Sequence, residues 1–542
     1  MSVATEFDFI VVGAGSAGCV LANRLSENGR YSVALLEAGP PDRHFWIHLP
    51  IGYGKTMWDS RVNWQFYTEP EASMAGRRIY WPRGRVLGGS SSINGLIVIR
   101  GQAEDYAHWA ALGNAGWGWP DVLPYFRKLE TNLAFPGDPL HGSHGPLHIS
   151  SIQGRHPIVE AVIEAAGKCG VPRTQDFNGR AQEGVGYYQL TTRNGWRQSS
   201  AVAYLRPARE RPNLRIICNA QATRILFEGR RATGVEIHFG HERRQLGARR
   251  GVVLSAGAVQ SPQLLMLSGL GPAEHLKANG IDVKLDLKGV GGNLQDHLQI
   301  RLIHRLNRKI STNDALRSLT GRMRMGLDWI FKRSGPLAIG INQGGLFTRV
   351  LPESKTPDIQ FHIATLSADM AGGKVHDFSG ITLSVCQLRP ESSGAITLAG
   401  ADPLRPPRIV ANYLTAETDQ RCAVASIKFA RKLAQTAPLS DLIADEFLPG
   451  ADKSTDADLL GFARQHGATI FHPAGTCRMG PDSDNSSVVD PRLRVRGIDG
   501  LWVADCSVMP RIVSGNTNVP TIMIAEKAAD LIQEDTDPVQ RT

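Results

Sequence analysis

A glycine-rich turn near the start of the chain has the composition and spacing of a dinucleotide-binding loop. Residues 13–18 read GAGSAG and follow an apolar run at 7–12. In such a GxGxxG turn the first glycine permits the tight turn, the second lets the backbone approach a pyrophosphate, and the third lets helix and strand pack closely. Glu37 follows the next apolar run, where its carboxylate can accept hydrogen bonds from a ribose. These residues predict a bound dinucleotide but do not distinguish FAD from NAD.

Three later segments favour a flavin over a nicotinamide. Residues 85–94 (RVLGGSSSIN) place two glycines and three serines where backbone can press against a ring or a phosphate, and residues 257–271 form another glycine-bounded segment. Asp505 ends the apolar run 501–504. A carboxylate at that position can accept hydrogen bonds from ribitol hydroxyls, which belong to flavin cofactors. The predicted cofactor is therefore FAD.

Taken together, these segments resemble the glucose–methanol–choline (GMC) oxidoreductases, which are FAD enzymes. The resemblance covers roughly residues 6–535. Segments 85–94 and 257–271 match the two signature regions of the family, and 472–476 (HPAGT) and 516–520 (NTNVP) match its catalytic segments. The stretches WPRGR at 81–85 and GWGW at 116–119 resemble the bacterial choline-dehydrogenase and alcohol-dehydrogenase branch. The resemblance implies an FAD-dependent alcohol dehydrogenase or oxidase that acts on CH–OH donors.

Alcohol oxidation removes a proton from oxygen and a hydride from carbon, and the proton needs a base with a pKa near neutral. His472 lies in a loop with proline and glycine and matches the catalytic base of the family. Phe471 beside it predicts an apolar wall of the substrate pocket. The resemblance places Asn518 at the second active-site position of the family, as a donor to the developing alkoxide. Capping of the following helix is the alternative role for Asn518.

The predicted cofactor contacts come from these motifs and from the resemblance. They are Gly13, Gly15, Ser16, Ala17, Gly18, Glu37, Arg85, Gly88, Gly89, Ser90, Ser92, Asn94, Gly95, Ala222, Ala256, Asp505, Cys506, Asn516 and Pro520. Pro520 favours the start of a helix over 521–532, whose N-terminus would carry partial positive charge toward the flavin. Some family members attach FAD covalently through a His at the position of Ile93. An alkyl side chain cannot form that bond, so non-covalent FAD is expected.

The predicted reaction is the oxidation of a primary alcohol, aliphatic or aromatic, to the aldehyde. The proton would go to His472 and the hydride to flavin N5, with electrons passed on to a quinone, a dye or oxygen. A choline dehydrogenase is one alternative, although no aromatic cage for a quaternary ammonium is evident in the sequence. The other alternative is a hydroxynitrile-type lyase of the same fold, which binds FAD without reducing it.

The elements that position these residues are those of an α/β fold. A strand at 7–12, a helix at 16–25 and a strand at 31–36 form a βαβ unit, which requires a parallel sheet. Runs at 214–218, 222–227, 251–255 and 501–504 predict further strands of that sheet. Residues 300–460 combine amphipathic helical spacing with alternating segments and predict a second, α+β unit.

The predicted fold is therefore a Rossmann-like, α/β FAD-binding domain of the GMC type, interleaved with an α+β substrate-binding domain. The FAD-binding domain takes residues 1–155, 198–300 and 466–536. The substrate-binding domain takes residues 156–197 and 301–465, and residues 537–542 form a polar tail.

Composition excludes several other classes of protein. The 57 glycines among 542 residues do not recur every third residue, as collagen requires, and a hydrophobic content of 42% exceeds that of disordered chains. A net charge of +9 is small for a chain of this length, so no nucleic-acid partner is predicted. The seven scattered cysteines contain no CxxC pair, so neither a metal site nor a disulfide framework is predicted.

No secretory signal and no apolar stretch near the ~20 residues that span a bilayer are evident. We therefore expect a cytoplasmic protein. For the basic, amphipathic segment 315–333 the sequence favours a helix packed on the core with a solvated arginine face. Peripheral contact with the inner membrane is the alternative role of this segment, and the sequence leaves the oligomeric state open.

Overall fold

A computed structural model of the chain describes residues 5–240, 242–370 and 372–537. Within these residues two large sheets organise the fold. Their strands are, in chain order, β1 (Glu6–Val12), β2 (Val33–Leu36), β3 (Gly184–Tyr187), β4 (Leu214–Ile217), β5 (Ala220–Glu228), β6 (Arg231–Phe239), β7 (Glu242–Leu254), β8 (Leu298–Leu306), β9 (Asn342–Thr348), β10 (Ile359–Ala364), β11 (Gly380–Gln387), β12 (Ile443–Leu448), β13 (Ala468–Thr469) and β14 (Leu501–Val503).

The helices of six residues or more lie around and between the two sheets. They are α1 (Ser16–Ser26), α2 (Ala103–Ala111), α3 (Trp119–Leu129), α4 (Pro157–Lys168), α5 (Gly257–Leu267), α6 (Ala273–Ala278), α7 (Thr312–Arg317), α8 (Leu319–Lys332), α9 (Glu417–Ala434), α10 (Asp456–His466) and α11 (Asn518–Thr536). Among the described helices, none combines the length and apolarity needed to cross a bilayer.

The first sheet has the order β4–β2–β1–β7–β6–β5, with β14 paired to β7. Strands β4, β2, β1, β7 and β14 run parallel, whereas β6 and β5 extend the sheet as antiparallel strands. The predicted βαβ unit is confirmed as β1, α1 and β2. Val12 is in register with Leu36 and with Leu254, so the carboxyl ends of the central strands share one edge. In such open α/β sheets ligands bind at that edge.

The second sheet is antiparallel, with the order β12–β8–β11–β10–β9–β3, and β13 pairs with β8. Its strands come from the two chain segments predicted for the substrate-binding domain, with two exceptions. Strand β8 begins before residue 300, and β13 follows residue 465, so both reach into segments predicted for the FAD-binding domain. The second sheet therefore includes a strand, β13, that lies close in sequence to the predicted site residue His472.

Each sheet has its own apolar core. Strand β2, the apolar residues of β1 and the centre of helix α11 are buried in the first core, and β8, β10 and β11 contribute to the second. Helix α1 packs beside α11, where Arg24 Nε donates to Glu526 Oε2 at 2.8 Å. This packing joins the first and last segments of the chain in one domain.

The structure makes two predictions more precise, one for the amphipathic segment 315–333 and one for the tail 537–542. The amphipathic segment 315–333 contains the end of α7 and all of α8, because Ser318 is extended and its hydroxyl caps α8 by accepting from Gly321 N at 3.3 Å. Of the predicted tail 537–542, only Asp537 lies within the described residues, and it pairs with Arg30 at 2.8 Å.

Candidate active site

A cavity of about 670 Å³ lies between the carboxyl edge of the first sheet and one face of the second. The loops after β1, β2, β7 and β14 line one part of it. Side chains of β8, β10 and β11 line another part, together with the loop that carries His472. Ligand sites of small molecules and cofactors have volumes in this range.

The first cofactor loop has the geometry that its sequence predicts. Gly13 has φ +96°, and a Cβ there would approach Ser255 O to 2.7 Å. Gly15 and Gly257 line the cavity, and a Cβ at Gly257 would meet no protein atom within 4 Å. The glycines thus leave open a cradle of backbone at the N-terminal ends of α1 and α5, which fits the phosphates of a dinucleotide.

Glu37 closes the first loop from the end of β2. Its Oε2 accepts from Ala14 N at 3.1 Å, and its Oε1 accepts from Gly39 N at 2.8 Å. Burial raises the pKa of Glu37 to about 7, while these two hydrogen bonds oppose the rise. The carboxyl group also lines the cavity, where it is available to a ribose.

The second cofactor loop, residues 85–95, presses directly on the first. A Cβ at Gly89 would lie 2.6 Å from the Gly15 Cα, so these two loops can meet only through glycine. Ser90, Ile93 and Asn94 line the cavity beyond this contact. Asn94 is held in place because its Oδ1 accepts from Arg197 Nη1 at 2.7 Å.

Most predicted cofactor contacts line this cavity. The lining residues among them are Gly13, Gly15, Ser16, Ala17, Glu37, Gly89, Ser90, Asn94, Gly95, Ala222, Ala256, Asp505, Cys506 and Asn516. Asp505 supports the cradle itself, since its Oδ2 accepts from Gly257 N at 2.9 Å and from Ser261 Oγ at 2.6 Å.

Five predicted contacts lie behind the cavity wall instead. Gly18 packs against the Gly13 carbonyl, and the Ser92 hydroxyl donates to Leu87 O at 2.7 Å beside Gly88. Arg85 lies over the Trp64 ring at 4.9 Å. Pro520 is buried in the first turn of α11. These residues shape the loops rather than line the cavity: the two glycines allow close packing of the backbone, and the other three side chains are used in contacts within the protein.

The loop that carries His472 is fixed by buried polar contacts. His472 N donates to Asp296 Oδ1 at 2.8 Å, and Arg83 Nη2 donates to Phe471 O at 2.7 Å. Phe471 has φ +72°, an uncommon conformation for a residue with a side chain. His472 and Phe471 both line the cavity, as predicted.

The tautomer of His472 follows from a chain of hydrogen bonds. His297 Nε2 lies 3.0 Å from the Leu388 carbonyl, which can only accept, so the Nε2 atom carries the proton. Burial lowers the pKa of His297 to about 4, so its Nδ1 is unprotonated at neutral pH. That Nδ1 lies 3.0 Å from His472 Nδ1, which must therefore donate. His472 is left with an unprotonated Nε2.

Asn516 is the hydrogen-bond partner of this unprotonated nitrogen. Its Nδ2 donates to His472 Nε2 at 3.2 Å, and its Oδ1 accepts from Gln360 Nε2 at 3.0 Å. The structure thus has Asn516, and not the predicted Asn518, in contact with His472. Asn518 is the first residue of α11, and its Oδ1 accepts from Ser16 Oγ at 2.7 Å, inside the first cofactor loop. The two asparagines exchange their predicted places, although both line the cavity.

Electrostatics keep His472 neutral. Burial lowers its pKa well below the usual 6.5, and the nearby His297, His362 and Arg83 lower it further. A neutral imidazole with an unprotonated Nε2 in a cavity can accept a proton from a bound hydroxyl group.

His362 is a site residue that the sequence did not reveal. It is 1% exposed on β10 and lines the cavity. Within the described part of the chain neither of its ring nitrogens has a hydrogen-bond partner. Burial lowers the pKa of His362 to about 3, so this ring is neutral. The only local signal was the alternating pattern of the strand, which does not distinguish a site residue from a core residue.

Comparison with known proteins adds independent information. Two sequence models of GMC oxidoreductases match the chain, over residues 7–299 and over residues 390–525. An alcohol dehydrogenase (acceptor) from Pseudomonas putida is 43% identical over 534 residues, which covers 98% of this chain and 96% of that protein. An oxygen-dependent choline dehydrogenase from Brucella suis biovar 1 is 41% identical over 527 residues, covering 97% and 95% of the two chains.

A solved structure supports the same fold. Formate oxidase from Aspergillus oryzae, whose structure was determined to study modification of its FAD, is 27% identical to this chain. It superposes with a TM-score of 0.90, and the match covers 99% of each chain.

Proposed function

Because this chain belongs to the GMC oxidoreductase family, and is thus an FAD-dependent oxidoreductase of CH–OH donors, we propose that it oxidises a primary alcohol to the aldehyde. The observation that carries the proposal is the unprotonated Nε2 of His472, in the cavity that the cofactor loops also line. The substrate is an aliphatic or aromatic alcohol, with Phe471 as part of its apolar wall.

His472 acts as the base. The alcohol O–H replaces the Asn516 amide as the donor to His472 Nε2, and its proton moves to this atom as the carbon–oxygen double bond forms. The Nδ1–H of His472 remains bonded to His297 Nδ1 throughout, so the ring does not rotate when it gains the proton. Proton transfer by a positioned histidine typically contributes 10²–10⁴-fold to a rate.

Asn516 positions the reacting oxygen. Its Nδ2 donates to His472 Nε2 at 3.2 Å, so a hydroxyl that approaches this nitrogen also comes within reach of the Asn516 amide. An amide N–H can stabilise negative charge on the oxygen but cannot remove a proton at neutral pH. His472 therefore acts as the base, and Asn516 acts as the hydrogen-bond donor to the reacting oxygen.

The cradle at residues 13–16, 89–95 and 256–257 is the site that would hold FAD, with Glu37 at the ribose and Asn518 fixed against Ser16. FAD, when bound there, supplies the acceptor for the hydride that leaves the carbinol carbon. Ile93 lines the cavity at the position where some relatives of this family carry a linking histidine, which supports non-covalent binding.

We also propose a peripheral membrane contact, through which electrons would leave the enzyme for a quinone in the bilayer. Helix α8 exposes the large apolar side chains Leu319, Met323, Leu327, Ile330 and Phe331. Arg322 and Met325 of the same helix line the cavity, so this apolar, basic face lies at the cavity mouth. A bilayer with anionic lipids complements both properties of the face.

Anaerobic mixing of the purified holoenzyme with primary alcohols tests the reaction. Loss of the visible flavin absorbance is expected with aliphatic or aromatic alcohols. A flavin that no alcohol bleaches, in an enzyme that cleaves cyanohydrins, would contradict the proposal and indicate a lyase. Assays of the same alcohols with oxygen and with a dye acceptor then decide between an oxidase and a dehydrogenase.

A further inference from the structure

Arg301 lies on the cavity face of the second sheet, in a row of polar side chains. It is directly opposite Ser384 of β11, and Ser384 is directly opposite His362 of β10. All three residues line the cavity. Side chains of directly paired residues on neighbouring strands point to the same face of a sheet, so this row forms part of the cavity wall.

The Arg301 guanidinium has no counter-ion. Across the described residues, no hydrogen bond or ion pair of its side chain is formed, although most other interior arginines are satisfied. Arg197, for example, donates to the Ile47 carbonyl at 2.7 Å and to Asn94. Burial lowers the pKa of Arg301, which expresses the cost of an uncompensated charge at this position. A guanidinium presents five donors in a planar fork, which fits a carboxylate or a similar anion.

The charges around Arg301 are also one-sided. Besides Arg301, the cavity is lined by the cationic side chains Lys55, Arg83 and Arg322. The acidic side chains that line it are Glu37 and Asp505. Both belong to the cofactor loops and already accept hydrogen bonds from backbone N–H groups. Among the described residues, the part of the cavity near the second sheet thus has only positive formal charge.

We propose that Arg301 binds an anionic group, such as a carboxylate, at the far end of the alcohol substrate. This inference rests on the proposed alcohol oxidation and specifies its substrate class: an alcohol with an anionic group is preferred to the matching neutral alcohol. A quaternary ammonium alcohol such as choline is disfavoured, because its charge would face Arg301 without an acidic partner.

The strand geometry sets the approximate distance between the two ends of such a substrate. His297 contacts His472 and immediately precedes β8. Arg301 lies on β8, four residues further along the chain. Four residues of strand span about 13 Å. The substrate therefore needs several carbons between its hydroxyl group and its anionic group, with the arginine side chain covering part of the span.

The first experiment compares substrates on the holoenzyme. The kcat/KM of ω-hydroxyhexanoate is measured against its methyl ester and choline, with a dye acceptor. We expect the hydroxy acid to exceed the ester by at least ~10-fold, mainly through KM, since a charge-assisted pair is made in the ground state as well. Equal kcat/KM values for acid and ester, or choline as the best of the three, would overturn the proposal.

Variants assign the preference to one side chain. Arg301→Gln is expected to remove most of the preference for the acid, and Arg301→Lys to restore part of it. The matched control is Arg305→Gln, on the same strand but near its solvent-exposed end, where Arg305 pairs with Asp445 at 3.5 Å. This control should retain the preference. Loss of activity toward acid and ester alike in Arg301→Gln, or loss of bound FAD, would overturn the proposal by making Arg301 a structural or cofactor residue.

A binding measurement separates this inference from the proposed reaction. Titration calorimetry of the holoenzyme with hexanoate and hexanamide requires no turnover. Hexanoate should bind at least ~10-fold more tightly than hexanamide, and Arg301→Gln should abolish the difference. Tight binding of hexanoate with no flavin reduction by any alcohol would refute the reaction alone. Flavin reduction by alcohols with equal binding of the two ligands would refute the role of Arg301 alone.

Discussion

His297 and His472 face each other through their Nδ1 atoms, 3.0 Å apart. One of these atoms must donate, and the Leu388 carbonyl decides which, because it fixes the proton of His297 on Nε2. The backbone carbonyl of the residue that follows β11 therefore sets the tautomer of the base through the intervening His297 ring. His297 is a positioning residue, since its contacts reach the substrate only through His472.

Replacement of the base gives the first prediction. His472→Ala or His472→Asn should lower kcat by at least ~10², because neither side chain can take a proton at neutral pH. FAD content should stay near one per chain, since the cradle residues are unchanged. Rapid kinetics of flavin reduction measure the effect, and a loss below tenfold would rule out His472 as the base.

The dependence on pH gives the second prediction. A base works in its unprotonated form, and the pKa of His472 is lowered well below 6.5, first by burial and then by His297. The acidic limb of kcat/KM should therefore lie below pH 6.5. In His297→Ala the limb should move to higher pH, because one cause of the lowering is gone, and kcat should fall by about tenfold or more as the tautomer is no longer fixed.

Expression and FAD content serve as controls for that variant. His466→Ala is a matched replacement, because this histidine stacks on Phe462 away from the cavity. It should leave the limb in place. An unchanged limb in His297→Ala would contradict the assigned hydrogen-bond chain.

The two asparagines should separate in function. Asn516→Ala should lower kcat by about 10² with FAD retained, because it removes the donor beside His472. Asn518→Ala should mainly weaken FAD retention, because it removes the bond to Ser16 Oγ in the first cofactor loop. Flavin content after dialysis and single-turnover kinetics distinguish the two effects. The reverse pattern would restore Asn518 to the catalytic position.

Precipitation of the holoenzyme tests whether FAD is attached to the protein covalently. Acid or heat precipitation should leave free yellow flavin in the supernatant, since Ile93 cannot form a covalent bond to the cofactor. Flavin that sediments with the denatured protein would show a covalent attachment through another side chain.

The face of α8 gives the fifth prediction. At low salt the protein should sediment with anionic liposomes, and the bound fraction should fall as salt rises because the attraction of the basic residues is screened. The double variant Leu327→Glu and Phe331→Glu should remain in solution. Leu133→Glu replaces an apolar side chain of similar exposure elsewhere and should still sediment. Equal sedimentation of all three proteins would contradict the docking face.

Local motifs predicted the cofactor side of the site, and tertiary structure was needed for the rest. The residues 13–18 and Glu37 are read from a single βαβ unit, because the chemistry and the element that positions it are adjacent in sequence. Asn516 and Asn518 differ by two positions, and only the start of α11 determines which one turns toward His472. No local sequence pattern indicates where this helix begins.

His297, His362 and Arg301 illustrate a second limit of the sequence. They lie near or on strands of the second sheet, where alternation predicts which residues share a face but not what that face covers. Their position around the same cavity as His472 depends on how the two sheets pack, which involves residues more than a hundred positions apart. The sequence resemblance reached His472 because its loop has a motif, and these three residues have none.

The hydrogen bond between Ser16 and Asn518 joins residues 502 positions apart. During synthesis the βαβ unit leaves the ribosome early, yet the turn that receives the cofactor lacks its partner until the final helix emerges. Domains otherwise tend to fold in order from the N-terminus as they are made. FAD capture is therefore a late event in the life of this chain, and a nascent or C-terminally truncated protein would be colourless.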